Sequence, residues 1–127
     1  VIRRTMDDLR RLAEEKDTIY LFYPMPYLKR NLARTIEGLV QGPEPYALEL
    51  FKQENEQLLE AFDLLVQQTP NIHAIKPADL VCPSGVCMGK IGNTILYGDR
   101  NHLSAKGSRL MYKDVFEQLA KELKAKH

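Results

Sequence analysis

The sequence has 127 residues, 44% of them hydrophobic and 28% charged, which is enough for one modest domain with a single core. The 18 basic and 17 acidic residues give a net charge of +1, so no basic surface for nucleic acid is predicted. No apolar run approaches the roughly 20 residues that span a bilayer, and the N-terminus lacks the pattern of a signal peptide, so any anchor or export signal is expected outside this chain.

The N-terminal residues predict a surface helix followed by a buried strand. Apolar side chains recur at helical intervals among charged ones, at Ile2, Met6, Leu9, Leu12 and Ala13. The apolar and aromatic run 18–23 is typical of a strand buried on both faces of a parallel sheet, and Pro24 and Pro26 end it. Residues 25–45 predict a short helix and then a loop, because glycines and prolines interrupt the second half.

The rest of the chain predicts two longer helices and two short strands. Residues 46–68 give the clearest helical pattern, and residues 71–75 a short strand that leads through a loop at 76–80 to two cysteines. Residues 93–97 predict a third extended segment. A final amphipathic helix is predicted from Ser104 onward, with apolar positions at Leu110, Met111, Val115, Phe116, Leu119 and Leu123.

This order of elements predicts an α/β fold in which right-handed crossovers place helices over a mostly parallel sheet. Functional groups of such folds gather at the carboxyl ends of the strands, where Asp99 and His102 fall. A sheet of about three strands has at least one unpaired edge. Missing N-terminal strands or a second copy of the chain are therefore expected to cover it.

The most informative segment for function is 99–104, Asp-Arg-Asn-His-Leu-Ser, followed by Gly107. It places a carboxylate, Asp99, and an imidazole, His102, three residues apart at the start of the predicted helix. Such a carboxylate fixes the imidazole tautomer and stabilises the imidazolium formed when the ring removes a hydroxyl proton. The pair predicts acyl transfer or ester hydrolysis. Ser104 is interpreted as the helix N-cap rather than the nucleophile, and Gly107 as a point of close approach between helix and sheet.

Other candidate groups have simpler structural interpretations. Without its carboxylate partner, His102 would be an exposed residue near a helix start. Ser84 is interpreted as a turn residue, because no strand-to-helix elbow surrounds it, and His73 as a strand residue packed on a sheet face. Three residues beyond the first strand are positioned to line an acceptor site but are interpreted as packing: Tyr23, Pro24 and Tyr27.

Cys82 and Cys87 enclose a Pro-Ser-Gly turn that can bring their sulfurs together. A disulfide here would contribute on the order of 2 kcal/mol and indicate an oxidising compartment. Two unlinked thiols in a cytosolic protein are an alternative. A zinc site with His73 and His102 is another, although its spacing matches no recognised ligand pattern.

Three segments together resemble the SGNH (GDSL-type) hydrolase family, whose closing motif reads Asp-x-x-His-Leu-Ser-x-x-Gly. They are the strand ending in proline at 19–24, the cysteine pair at 82–87, and residues 95–99, Ile-Leu-Tyr-Gly-Asp, which lead to His102. From Leu9 onward the chain is similar to SGNH domains attached to bacterial membrane O-acyltransferases of the O-antigen acetylase type. The resemblance implies a three-layer, flavodoxin-like α/β fold in which residues 1–127 form the C-terminal portion of one domain.

The resemblance also implies roles for particular residues. Asp99 and His102 would be two members of a catalytic triad, and Cys82 and Cys87 would form a disulfide. The substrate would be an acyl ester, most simply acetyl, of an envelope glycan. The site would face the periplasm at the inner membrane and need no metal or organic cofactor.

Three motifs of the family are missing from these residues. They are the Gly-Asp-Ser motif with the nucleophile and the two following motifs whose glycine and asparagine complete the oxyanion hole. Because the chain also starts at Val1 within a predicted helix, it is expected to be the C-terminal piece of a longer polypeptide. The isolated piece is expected to be inactive.

Two other functions stay open on sequence alone. One is a noncatalytic α/β interaction or regulatory domain that oligomerises through its open sheet edge. Asp99 and His102 side chains out of hydrogen-bond reach would indicate it. The other is a cytosolic esterase fragment, which reduced and separated cysteines would indicate.

Overall fold

A computed structural model describes residues 1–26, 47–85, 87, 89–98 and 102–126. Within these ranges the chain forms five helices: α1 (Ile2–Glu15), α2 (Ala47–Glu54), α3 (Glu56–Gln68), α4 (Pro77–Val81) and α5 (Ala105–Lys126). It also forms four short strands: β1 (Ile19–Phe22), β2 (Ile72–Ile75), β3 (Lys90–Ile91) and β4 (Thr94–Ile95). The predicted mixture of helices and strands is confirmed. The predicted helix and loop at 25–45 fall almost entirely outside the described residues.

The two predicted strands β1 and β2 form a parallel pair, from Ile19 opposite Ile72 to Phe22 opposite Ile75. The side-chain amide of Asn71, just before β2, donates to the carbonyls of Ala13 and Lys16 at 2.8 and 2.9 Å, which fastens the end of α1 to the sheet. The expectation that the first strand is buried on both faces is wrong at Phe22, whose exposed fraction is 42%.

Helices pack on both faces of this pair, because alternate side chains of a strand point to opposite sides. On one face the strands and two helices share a core of six buried residues: Met6 and Ala13 of α1, Phe62 and Leu65 of α3, Ile72 of β2, and Tyr23, which follows β1. On the other face, Phe22 contacts the Tyr112 and Phe116 rings of α5 at centroid distances of 5.9 and 6.4 Å.

The single helix predicted over residues 46–68 is two helices, which meet at Asn55. The Asn55 side-chain amide donates to the Phe51 carbonyl at 2.9 Å, and its backbone N–H donates to the same oxygen at 3.0 Å. An asparagine that binds local backbone in this way favours a break in the helix. The loop predicted at 76–80 is also wrong: α4 occupies it, and Pro77 fits the first turn of a helix, where no backbone donor is needed.

The third extended segment is the second strand of a small antiparallel hairpin. In the pairing of β3 with β4, Ile91 lies opposite Thr94. The two-residue turn between them consists of Gly92 and Asn93, and the φ of Gly92 is 57°. Among the described residues, the expected mostly parallel sheet is therefore limited to β1 and β2. A second core lies beside the hairpin and contains Val81, Cys82, Cys87, Leu96 and Tyr97.

Candidate active site

Backbone contacts between β4 and α5 join the described residues on either side of positions 99–101 of the predicted catalytic motif. The backbone N–H of Gly98 donates to the carbonyl of His102 at 2.9 Å, and Tyr97 and Leu103 form an antiparallel bridge. His102 is the first described residue after these positions, and its side chain is exposed. Asp99 lies outside the described residues, so its pairing with His102 remains a prediction.

Ser104 is the N-cap of α5, as predicted. Its Oγ accepts a hydrogen bond from the Gly107 N–H at 2.9 Å and donates one to the Ile95 carbonyl at 2.7 Å. The hydroxyl therefore joins the start of the helix to β4. These two bonds agree with a capping role rather than with that of a nucleophile.

Gly107 lies where α5 crosses the residue that follows β4. A Cβ at this position would meet the Leu96 carbonyl oxygen and would lie 2.7 Å from Leu96 Cα. Both are backbone atoms, so no side-chain rotation relieves the contact. The predicted close approach is confirmed, and it fixes the first turn of α5, which begins three residues after His102, against the residue after β4.

Cys82 and Cys87 form a disulfide. Both residues are buried against Leu96 and Tyr97, so the disulfide loop supports the backbone that leads into the candidate motif. The alternatives of two separate thiols and of a zinc site are wrong, because each sulfur is bonded to the other.

Reduction of this disulfide is expected to lower the free energy of unfolding by about 2 kcal/mol, from the lost constraint on the unfolded chain. Thermal unfolding of the oxidised and the fully reduced chain checks this. The Cys82→Ser/Cys87→Ser variant is the control, since reductant leaves its midpoint unchanged. If reduction left the midpoint of the native chain unchanged, the supporting role of the disulfide would be refuted.

Tyr97 joins the start of the candidate motif to the segment that follows β1. Its buried hydroxyl donates to the carbonyl of buried Pro26 at 2.9 Å. Burial raises the pKa of Tyr97 well above its usual range, which keeps the group a neutral donor. The contact spans 71 positions of the chain and has no signal in the sequence. It brings the proline-ended strand and the closing loop together.

Replacing Tyr97 with phenylalanine is expected to lower the free energy of unfolding by about 1–3 kcal/mol, because the Pro26 carbonyl loses its donor inside the protein. Denaturant unfolding measures the change. Tyr20→Phe is the matched control: it also removes a tyrosine hydrogen bond, from Tyr20 OH to Glu122 Oε2 at 2.6 Å, but at a partly exposed position where a smaller loss is expected. Equal losses in the two variants would contradict the argument.

A family model described as the SGNH domain fused to AT3 (acyltransferase-3) domains matches residues 2–117. The chain belongs to this family. Comparisons with curated proteins and with solved structures gave no match. An SGNH domain of this kind implies an esterase or acetyltransferase type of activity. In the part of the chain that the structure describes, no helix is both long and apolar enough to span a membrane.

Tyr23 of this SGNH domain is a packing residue, as predicted. Its ring lies edge-on to Phe62 at 5.2 Å, and its hydroxyl donates to Asp63 Oδ1 at 2.7 Å. Lys76 Nζ lies 3.8 Å from the same oxygen and 5.3 Å from the Tyr23 ring centre. Burial first, and then the bond to Asp63, raise the pKa of Tyr23 above its usual range. Tyr27, the other tyrosine of this set, lies outside the described residues.

Tyr23, Asp63 and Lys76 line a cavity of about 250 Å³ together with Pro24. Tyr23 follows β1 and Lys76 follows β2, so the cavity lies at the carboxyl ends of the parallel pair. The sequence signal for this grouping is the position of Tyr23 and Lys76 directly after two parallel strands.

Two further candidates have no place in the loop around His102. Ser84 is exposed in the turn enclosed by the disulfide, next to Gly85 with a φ of 83°, which confirms its interpretation as a turn residue. His73 lies on β2 with its ring 5.7 Å from that of Tyr20, on the sheet face that points to α5.

Proposed function

We propose that this SGNH domain is part of an acyltransferase or esterase that acts on acyl esters, most simply acetyl, of envelope glycans. Asp99 orients the imidazole of His102. The ring removes the proton of a serine hydroxyl as the serine attacks the acyl carbon, and it then protonates the departing alcohol, leaving a seryl ester. The next alcohol or water reverses these steps and releases the serine.

The observation that supports this proposal best is the backbone hydrogen bond between Gly98 and His102. This bond is 2.9 Å long, and Gly98 lies three residues after β4 in a chain of the acyltransferase-linked SGNH family. In the sequence, Asp99 lies between the two bonded residues, next to Gly98.

The serine is proposed to come from the N-terminal part of the same domain, within a longer polypeptide. Residues 1–127 contain no Gly-Asp-Ser sequence; the nearest match, starting at Gly98, has arginine in place of serine. Among the described residues β1 pairs only with β2, which leaves its other edge available to a further strand. The added segment would complete a three-layer, flavodoxin-like fold with a mostly parallel sheet, of which this chain is the C-terminal portion.

The site is proposed to face the periplasm at the inner membrane. The Cys82–Cys87 disulfide supports an oxidising compartment, and the family is fused to membrane acyltransferase-3 domains. The proposed steps use only side chains and the acyl ester, so they need no metal or organic cofactor.

The test compares the 127-residue chain with a polypeptide extended at its N-terminus to include a Gly-Asp-Ser motif. Hydrolysis of a chromogenic acetyl ester and release of acetate from an O-acetylated oligosaccharide are measured for both. The extended polypeptide is expected to turn over both substrates, and the 127-residue chain neither. Equal turnover by the two would place the nucleophile within residues 1–127 and refute the proposal.

A second candidate function is favoured by the same unpaired edge of β1. A noncatalytic interaction domain would use this edge, and the exposed Phe22 ring beside it, to bind a second copy of the chain. Sedimentation of the 127-residue chain separates the two functions. A dimer that Phe22→Ser dissociates, together with an inactive extended polypeptide, would favour the interaction domain.

A further inference from the structure

The outward side of α5 has a regular row of positive charges. Lys106, Arg109, Lys113 and Lys124 follow one another at intervals of 3, 4 and 11 residues. These intervals are close to whole turns of an α-helix, so the four residues lie on one side of it, and all four are exposed. We name this side, with its neighbouring apolar residues, the basic face of α5. Three large apolar side chains on or beside it are 45%, 54% and 48% exposed: Leu110, Phe116 and Leu123.

The acidic residues of α5 are mostly turned away from this face. Asp114 and Glu122 line the cavity of about 770 Å³ between the helix and the β1–β2 pair, and Glu122 accepts the hydrogen bond from Tyr20. Only Glu117 lies among the four cations. The face therefore has a net charge of +3, whereas the whole chain has +1. None of the four cations forms a salt bridge with a carboxylate in the described part of the chain.

The basic face includes an open depression of about 460 Å³. Arg109 and Lys113, one helical turn apart, line it together with the hydroxyl-bearing Ser108 and the ring of Phe116. Two cations beside a hydroxyl supply donors for a phosphate group, and the aromatic ring offers an apolar surface next to them. This combination matches a lipid headgroup at the boundary between phosphate and hydrocarbon.

We propose that the basic face of α5 docks on an anionic bilayer surface. Arg109 and Lys113 contact lipid phosphates, and Lys106 and Lys124 add long-range attraction. The three exposed apolar side chains of the face, Leu110, Phe116 and Leu123, reach the interfacial region. A protein partner is disfavoured because lysines are depleted in protein interfaces. A nucleic acid would use the cations but not the exposed leucines. The inference does not depend on the catalytic roles of Asp99 and His102.

The experiment is sedimentation of the 127-residue chain with two kinds of vesicle. One is phosphatidylcholine alone, and the other also contains about 30% phosphatidylglycerol, which makes its surface negative. Binding is expected only to the anionic vesicles and is expected to fall as salt is raised from low to about 0.5 M. Arg109→Gln/Lys113→Gln should lower the partition coefficient by about 10–30-fold. Leu110→Gln/Leu123→Gln should lower it by about threefold or more without changing its dependence on salt.

The matched control is Arg4→Gln/Arg11→Gln, which removes two exposed positive charges from α1 instead. It is expected to bind anionic vesicles as tightly as the native chain does, to within about twofold. Circular dichroism confirms that the variants keep their helices. The proposal is overturned by equal binding to neutral and anionic vesicles, by an equal loss in the α1 control, or by no binding to anionic vesicles at low salt.

Discussion

Replacing His102 with alanine is expected to lower the turnover of acyl esters by about 10³-fold or more in the extended polypeptide that also has the serine. Without the imidazole, no group removes the serine proton or protonates the departing alcohol. Binding of substrate is expected to change little, because the ring acts on the reacting atoms and does not hold the glycan. Steady-state kinetics with a chromogenic acetyl ester measure both parameters.

Two variants make this prediction specific. His73→Ala applies the same change to a histidine on β2 that contacts the Tyr20 ring, and it is expected to leave turnover unchanged. Asp99→Asn keeps the size of the side chain but removes its charge, and it is expected to lower turnover by about 10²-fold or more. Native turnover in His102→Ala, or an equal loss in His73→Ala, would refute the assignment of the base.

Replacing Gly107 with alanine is expected to lower the free energy of unfolding by about 3 kcal/mol or more, although alanine is the better helix former by about 1 kcal/mol. The added methyl meets the Leu96 carbonyl and lies 2.7 Å from Leu96 Cα. Either α5 or the residue after β4 has to move. The same movement would displace His102, which lies shortly before α5, so we also expect a loss of activity in the extended polypeptide.

Gly98→Ala is the matched control for this prediction. A Cβ at Gly98 would lie 3.5 Å from Ser104 Cα, an ordinary contact, so we expect a change in stability below about 1 kcal/mol. Denaturant unfolding of the two variants compares the same added methyl group at two sites. A Gly107→Ala variant as stable as the native chain would show that α5 does not depend on close contact with Leu96.

The sequence predicted those parts of the fold whose apolar pattern is repeated over many residues. Met6 and Ala13 at helical spacing marked the buried side of α1, and the run from Ile19 to Phe22 marked β1. Burial was predicted less well. Phe22 and Phe116 belong to apolar patterns, yet they are half exposed, because the pattern of a strand or helix does not reveal what lies beyond its edge.

The details that sequence analysis missed depend on short-range chemistry at single residues. The break at Asn55 comes from its side-chain bond to Phe51, within a pattern that is helical on both sides. Gly92 and Asn93 are a typical two-residue hairpin turn, but the strands on either side have only two residues each, too few for an alternating pattern. Pro77 was interpreted as a loop residue, although proline also begins helices.

The sequence predicts which neighbouring residues form the candidate motif, but it does not predict the contacts that join this motif to distant parts of the chain. Asp99, His102, Ser104 and Gly107 are close in sequence, and the roles of Ser104 and Gly107 are confirmed by their contacts. The bond from Tyr97 to Pro26 joins residues 71 positions apart, and no local pattern indicates such a partner. The coupling of Asp99 to His102 stays a prediction.

That coupling is tested most directly by the position of the proton on the His102 ring, read from the nitrogen-15 chemical shifts of the ring in the native chain and in Asp99→Asn. An imidazole oriented by a carboxylate keeps its proton on Nδ1, which donates to the carboxylate, and leaves Nε2 to accept the serine proton. We expect this tautomer in the native chain and its loss in the variant. The same mixture of tautomers in both proteins would contradict the account, because Asp99 would then not hold the ring.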